Sequence, residues 1–182
     1  MNWLKKQYRR IKAWLSPREG ASPEVSAPIE REVSAVKGTT TAYEWAMTQL
    51  GVKEIKGWKH DKQIQKYLAT VGMGGYSDET AWCAAFVNWC LAQAGIYGTG
   101  KPNARSFLKL GEETKNPTRG DIVVFWRESK SSWKGHVGFF DEFTPHGQVV
   151  CLGGNQDNRV CRKVYQADRV LSFRKVLPAE AA

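Results

Sequence analysis

Long apolar runs are absent from this chain of 182 residues. No segment approaches the roughly 20 consecutive apolar residues that a membrane-spanning helix needs. The basic N-terminus lacks the apolar segment of a signal peptide. We therefore expect synthesis in the cytoplasm, without export by a signal peptide. With 42% hydrophobic and 25% charged residues, the composition is typical of one globular domain that is large enough for its own core.

Cysteine and histidine are also scarce, with four cysteines and three histidines in the chain. No CxxC pair is present, which argues against a structural zinc site, and we expect neither a metal nor a cofactor. Cys90 lies two helical turns after Cys83, too far for a disulfide, so we expect it to pack in the core. Cys151 and Cys161 would face each other only in a hairpin centred on Gln156, and a reducing compartment argues against a disulfide between them.

The positive charge is concentrated at the N-terminus. Residues 1–20 carry +5 of the total net charge of +9, and apolar residues recur there every three or four positions. This pattern predicts a basic amphipathic arm that suits an anionic membrane or an anionic polymer. Residues 21–40 are rich in Ser, Pro, Ala and Glu without a period, which predicts a flexible linker. The remaining chain has no basic stripe, so we do not expect nucleic acid as a partner.

Residues 41–178 are predicted to form the folded domain. Helical periodicity comes first, in segments that begin near residues 41, 60 and 81. After Pro117 the pattern changes to five β-rich segments separated by short turns: DIVVFWR, HVGFFDEF, QVVCLGGN, RVCRKVYQ and RVLSFRKV. Helices followed by an antiparallel meander predict an α+β fold. Neither internal repeats nor nucleotide-binding fingerprints interrupt this order.

The segment DETAWCAAFVNWCLAQAG places Cys83 near the start of the third predicted helix. Ser77, Asp78 and Thr80 are all good N-cap residues, so we expect Cys83 at the second or third helical position. There the helix dipole and the unpaired backbone N–H groups favour a thiolate and can hold an oxyanion. The sequence therefore predicts a nucleophilic cysteine.

A nucleophilic cysteine needs a base, normally histidine. His136 opens a strand beside a glycine and is the best placed of the three histidines. If the hairpin turn is centred on the Pro-His pair of TPHG, His136 faces Asn155 within hydrogen-bonding reach, and Asn155 would fix the ring tautomer. A register slip of one residue would bring Gly154 or Gln156 opposite instead. For the orienting role, Gln156 and Asp157 remain alternatives.

Four segments, AWCAAFVNWCLAQAG, GDIVVFWR, GHVGFF and LGGNQ, resemble the CHAP and NlpC-type cell-wall peptidases and amidases. The resemblance covers residues 41–176 and implies a papain-like fold. It also implies hydrolysis of an amide bond in peptidoglycan by enzymes that are often phage-encoded endolysins and act on the wall after release or lysis. By this resemblance Cys83 is the nucleophile, His136 the base and Asn155 the orienting residue. Many CHAP members carry an acidic residue two positions before that asparagine, where this chain has Gly153.

Three further residues are candidates for substrate binding. Asp78 would pair with a free amine, and Trp82 and Trp133 would line a groove for peptide or saccharide. A monomer is expected, and the N-terminal arm would contact a membrane or an anionic wall polymer. Two other functions remain open: a catalytically silent wall-binding or virion structural module, and a thiol acyltransferase of the same fold. A pure binding module needs neither Cys83 nor His136, which favours an enzyme.

Overall fold

The computed structural model describes residues 40–177. The predicted arm, 1–20, lies outside the described residues, as does the predicted linker apart from its last residue. The helices are α1 (Ala42–Thr48), α2 (Lys62–Ala69) and α3 (Cys83–Gln93). The strands are β1 (Glu112–Thr114), β2 (Ile122–Trp126), β3 (Gly135–Phe143), β4 (Val149–Gln156), β5 (Arg159–Tyr165) and β6 (Val170–Lys175). Short 3-10 helices span Ala104–Lys109 and Ala167–Arg169. None of the helices in this part of the chain is long and apolar enough to cross a membrane.

The first two helices begin at polar caps. Thr41 and Glu44 form a capping box at α1, in which each side chain accepts a hydrogen bond from the other residue's backbone N–H. At α2, Asp61 accepts hydrogen bonds from the N–H groups of Gln63 (2.8 Å) and Ile64 (3.0 Å). These caps let both short helices bury one apolar face against α3, which is apolar on nearly all sides.

One antiparallel sheet of six strands contains every strand of the described residues, in the order β1-β6-β2-β3-β4-β5. The α+β class is confirmed, and the five predicted strands are all present. The meander runs only through β2–β5, because β6 returns to the free edge of β2 instead of extending the sheet beyond β5. Strand β1 was not predicted, because its three polar or half-buried residues carry no period.

Helix α3 packs closely on strand β4 at Gly154. A Cβ atom at this position would lie 2.5 Å from the Trp82 ring and 2.7 Å from Phe86 Cβ. Glycine therefore lets the start of α3 approach β4 to a distance that any other residue would prevent. This packing brings the first residue of α3, Cys83, towards the strands that carry the other predicted site residues.

Candidate active site

Cys83 is the first residue of α3, and Trp82 is its N-cap without a side-chain cap. The prediction of a second or third helical position is therefore wrong. The side chain of Asp78, one of the three expected caps, is used elsewhere: it accepts hydrogen bonds from the N–H groups of Ile55 (3.0 Å) and Asp61 (2.9 Å). Because Asp78 holds an earlier part of the chain, the helix begins without it.

Cys83 is 8% exposed as a residue, and the helix that it begins packs on β3. Burial raises the pKa of this thiol, while the N–H groups of Val137 and Ala84 and the positive charge of Arg127 act in the opposite direction. Burial prevails, so the resting residue is a thiol, and the predicted thiolate is not favoured. Val137 directly follows His136, so its contact with the sulfur brings the thiol to the backbone beside the histidine.

His136 lies in β3 with its ring buried beside two aromatic side chains, Phe125 and Tyr165, which stack on each other. The ring stacks on Tyr165, with 5.4 Å between centroids, and on Phe125, at 6.2 Å. Its Nε2 atom is 3.1 Å from Gln156 Oε1. Burial lowers the pKa of His136 to about 4, the charges of Arg127 and other cations add to this, and the Gln156 hydrogen bond opposes it. The imidazole is therefore neutral at neutral pH.

The amide of Gln156 has a fixed orientation. Its Nε2 donates to the backbone carbonyls of Cys151 (3.2 Å) and Cys161, and its Oε1 accepts from Tyr165 Oη (3.0 Å). An amide oxygen in this position accepts a hydrogen bond from His136 Nε2 and cannot donate one. The ring is therefore held as the Nε2–H tautomer, and its Nδ1 atom keeps a free lone pair.

A bulge in β4 explains why Gln156 contacts the histidine in place of Asn155. The predicted pairing is found in the middle of the hairpin, where Phe139 faces Leu152. Beyond Gly153 the register with β5 shifts, and Asn155 adopts a left-handed φ of 55°. Such a bulge reverses the alternation of side chains, so the residue after it turns to the histidine side. The prediction that Asn155 lies beside His136 is wrong, and Gln156, the alternative, is the residue in contact.

Gly153 provides the space for this contact. A Cβ atom at Gly153 would lie 3.0 Å from Gln156 Oε1 and 3.3 Å from His136 Nε2. The position where many CHAP members carry an acidic side chain thus directly adjoins the histidine. In this chain the glutamine amide reaches the histidine from three residues further along the chain.

Asn155 contacts the start of α3. Its Nδ2 donates to Glu54 Oε1 (3.3 Å), and its Oδ1 accepts from the Trp82 N–H (3.1 Å). The indole Nε1 of Trp82 donates to the same Glu54 oxygen (2.8 Å). Asn155 and Glu54 thus hold the residue that precedes Cys83. Trp82 is fully buried, so the prediction that it binds substrate is corrected to a role in the core.

Asp78 is fully buried as well. Besides its two backbone hydrogen bonds, it lies 3.2 Å from His60 Nδ1. Its carboxylate is occupied by these partners and cannot reach a substrate amine, so its expected binding role is corrected to a structural one. Sequence alone does not reveal this, because a carboxylate before a helix is usually a cap at the surface.

A cleft of about 490 Å³ opens beside Cys83. Trp133, 71% exposed, lies on its wall, as a groove residue should, and its role in binding stays a prediction. The cleft also contains two arginines that the sequence did not single out, Arg127 and Arg169. The one sequence signal that places Arg127 near the site is its position directly after the strand segment IVVFW. The other residues that line the cleft are Ala81, Pro102, Asn103, Ala104, Glu128, Lys134 and Gly135.

The other cysteines lie outside this arrangement. All four are free, and Cys90 is buried in the core as expected. Cys161 pairs with Gly153 instead of facing Cys151, because the β4–β5 hairpin turns one residue later than a centre at Gln156. Between residues 40 and 177, no three His, Cys, Asp or Glu side chains are grouped so that they could hold a metal ion.

Residues 75–155 match the family model described as the CHAP domain. This segment, somewhat less than half of the chain, is similar to CHAP domains. The matched segment includes Cys83, His136 and Asn155 and ends one residue before Gln156. CHAP domains act on peptidoglycan, and the match supports a family of cell-wall hydrolases and the CHAP and NlpC-type superfamily as the wider group.

A search of the curated proteins found no match. Among solved structures, the chain is similar to a Staphylococcus aureus protein described as similar to a lipoprotein of the NLP/P60 family, with 15% sequence identity and a TM-score of 0.40. The alignment covers 68% of this chain and 45% of that one. The chain thus spans less than half of the length of the protein that it matches.

The buried His136 predicts that the folded domain loses stability in acid. Its pKa is about 4 in the folded state and 6.5 in a solvated chain, so between these values the unfolded state binds more protons. Stability from this residue is complete above pH 6.5 and falls as the pH drops towards 4, by up to about 3 kcal/mol. Urea unfolding at several pH values measures this dependence.

The matched variants for this measurement are His136→Asn and the exposed His146→Asn. The difference in unfolding free energy between wild type and His136→Asn should shrink or change sign as the pH falls from 7 to 4. His146→Asn should follow the wild-type curve. A wild type and His136→Asn variant with parallel curves over this range would contradict the burial of a neutral imidazole.

Proposed function

We propose that this protein hydrolyses an amide bond of bacterial peptidoglycan, with Cys83 as the nucleophile and His136 as the general base. The observation that supports this most is that Cys83 lines the cleft at the start of a helix that packs on β3, the strand of a neutral histidine whose tautomer Gln156 sets. A cysteine at the start of a helix that packs on the strand carrying a neutral histidine suits thiol acyl transfer, which needs a nucleophile and a base on neighbouring elements.

In the proposed reaction, His136 Nδ1 accepts the thiol proton while Cys83 Sγ attacks the amide carbon. The oxyanion that forms is stabilised by free backbone N–H groups in the first turn of α3. The protonated imidazole then donates its proton to the leaving nitrogen, the C–N bond breaks, and a thioester and an amine result. Water, deprotonated by His136, attacks the thioester, which releases a carboxylate and restores the thiol.

The protonation states assign the timing of the proton transfer. Burial raises the pKa of Cys83 and lowers that of His136, so the pair rests as thiol and imidazole. The proton therefore moves as the carbonyl is attacked, and no ion pair is formed beforehand. Gln156 Oε1 accepts the Nε2–H throughout and stabilises the imidazolium while it exists.

Purified peptidoglycan is the substrate that tests this proposal. Incubation with the protein should release free amines in proportion to soluble fragments, without new reducing sugar ends. The Cys83→Ala variant at the same concentration is the control. An increase in reducing ends without amines would indicate glycosidic cleavage. Sedimentation of the protein with peptidoglycan, without release of amines, would indicate a silent binding module.

Gln156 and Asn155 have different expected effects on this activity. Gln156→Met keeps most of the side-chain volume but removes the acceptor of the His136 proton, so kcat should fall about 10- to 1000-fold. Asn155→Gly tolerates the positive φ and removes only the contacts with Glu54 and Trp82. It should lower the free energy of unfolding by about 1 kcal/mol and change kcat less than tenfold.

The pH profile separates orientation from folding in these two variants. In Gln156→Met the acidic limb of kcat/KM should shift to lower pH. The hydrogen bond from Gln156 favours the protonated imidazole, so its loss lowers the pKa of His136. Asn155→Gly should keep the wild-type profile. A larger loss of kcat in Asn155→Gly than in Gln156→Met would return the orienting role to Asn155.

A further inference from the structure

We propose that Arg127, supported by Arg169, binds a carboxylate of the substrate beside the scissile amide, so that the preferred substrates are acidic peptides. This inference rests on the proposed function, because it assigns the substrate class of the same cleft. It depends on where the two arginines lie, on the charges around them and on how the surrounding loop is held.

Arg127 is a cation of the cleft that forms no ion pair with the residues described by the structure, although its charge also acts on the neighbouring Glu128. It follows β2 directly, and its backbone N–H donates to the Lys134 carbonyl (3.3 Å), which continues the ladder with β3. Two residues before it, Phe125 pairs with His136, so alternation puts Arg127 on the histidine side of the sheet. Its side chain lines the same cleft as Cys83. Across residues 40–177 the guanidinium makes no hydrogen bond or ion pair, and it is therefore available to a ligand.

The positive charge of the cleft is not neutralised by its own residues. Besides the two arginines, the charged residues that line it are Glu128 and Lys134. These two form an ion pair with 2.5 Å between Lys134 Nζ and Glu128 Oε1. Their charges cancel, so the guanidinium groups of Arg127 and Arg169 leave the cleft with an excess of two positive charges.

Arg169 is held in place before any ligand binds. Its guanidinium lies 4.8 Å from the centre of the Trp126 ring, a distance typical of a cation–π contact. The Trp126 indole Nε1 in turn donates to the Asp168 carbonyl (2.9 Å). A guanidinium that is already ordered loses less entropy on binding an anion, and its planar fork matches a carboxylate.

The loop after Arg127 is also fixed. Arg105 donates to three of its carbonyls: Lys134 from Nε (3.1 Å), Lys130 from Nη1 (3.0 Å) and Ser129 from Nη2 (3.3 Å). This loop carries Trp133 and closes one side of the cleft. The anion site is therefore held on a rigid frame, as selective binding requires.

Arg127 is close enough to the reacting groups to act on both. Its charge lowers the pKa of Cys83 and that of His136. A carboxylate bound to Arg127 would thus lie next to the scissile amide, in the position of a substituent on a neighbouring residue of the peptide. Peptide fragments with a free carboxyl group at that position are expected to bind better than the same fragments with a carboxamide.

Soluble peptidoglycan fragments provide the test, in native form and after conversion of their carboxylates to carboxamides. The wild type should cleave the native fragments at least about tenfold faster in kcat/KM, the effect of one charged hydrogen-bonded contact. Arg127→Gln should reduce this preference to threefold or less, mainly by loss of the faster reaction. Lys130→Gln is the matched control, because it removes one charge from the same loop outside the cleft and should keep the wild-type preference.

Binding separates this inference from the proposed function. Calorimetry with Cys83→Ala should show the same preference for native fragments, and Cys83→Ala combined with Arg127→Gln should lose it. If the wild type cleaves neither form while this preference in binding remains, the hydrolytic function fails and the carboxylate site stands. The carboxylate site would be overturned if the wild type binds and cleaves both forms equally well. It would also be overturned if the preference for native fragments survives in Arg127→Gln. A preference lost equally in Lys130→Gln would overturn it too, since general charge attraction would then suffice.

Discussion

Cys83→Ala is expected to reduce the release of amines from peptidoglycan by at least about 10⁴-fold, to the level of the uncatalysed reaction. The chemistry of the proposal passes through a thioester on this sulfur, and no other side chain in the cleft is a comparable nucleophile. Cys83→Ser should be almost as inactive, because a hydroxyl loses its proton far less readily than a thiol. Amine release at saturating substrate measures both variants.

Cys90→Ala is the matched control for this loss. Cys90 is buried in the same helix but lies two turns from the cleft, and its replacement also removes a sulfur from the core. Both alanine variants should lose about 1 kcal/mol in unfolding free energy, and only Cys83→Ala should lose activity. Folded Cys83→Ala with more than a hundredth of the wild-type rate would remove Cys83 from the role of nucleophile.

His136→Asn is expected to lose about 10³- to 10⁴-fold in kcat/KM at pH 7, close to the effect of losing the nucleophile. Burial raises the pKa of the Cys83 thiol, so without a base almost no thiolate is present at this pH. The residual rate of the variant should rise steadily with pH. Without the imidazole, the Cys83 thiol can lose its proton only to hydroxide, whose concentration increases with pH. The wild type should reach its plateau at much lower pH.

The pH dependence of kcat/KM from pH 5 to 10 measures this effect, and alkylation of Cys83 by iodoacetamide gives the same information without substrate. His146→Asn, which changes an exposed histidine in a turn, should match the wild type in both experiments. A His136→Asn variant that keeps the wild-type pH profile would show that another group acts as the base.

Periodicity in the sequence predicted most of the fold. The helical stripes and the five β-rich segments correspond to helices and strands of the structure, because burial of one face imposes a period on the residues. Strand β1 has three residues and no buried face, so it carries no such signal. The return of β6 to β2 depends on which sheet edge is free, and this is a property of the assembled sheet.

The residue types of the site were also predictable, but their contacts were not. A cysteine at a helix start and a histidine at a strand start are local features that a sequence contains. The partner of His136 depends on a bulge beyond Gly153, and a single bulge reverses the alternation on which register arguments rely. Gly154, against which the start of α3 packs, adjoins this bulge. The regular pairing therefore ends at a contact between segments that are distant in the sequence.

Burial explains the remaining corrections. Asp78 and Trp82 stand beside Cys83 in the sequence, and a polar and an aromatic residue there suit a binding groove. In the fold neither residue lines the cleft, and both side chains hold the segment that precedes α3. Only Trp133, which is distant in sequence, lies on the cleft wall. In this chain, Asp78 and Trp82, which precede the nucleophile in the sequence, thus position it and do not bind its substrate.

Mass spectrometry of peptidoglycan fragments produced in heavy-oxygen water tests whether Cys83 and His136 hydrolyse an amide bond. Hydrolysis by Cys83 and His136 predicts pairs of fragments, one with a new amine and one with a new carboxyl group that contains one heavy oxygen atom. The Cys83→Ala variant should produce no such pairs. Fragments without heavy oxygen, cleavage only at glycosidic bonds, or the same fragments from Cys83→Ala would contradict the account.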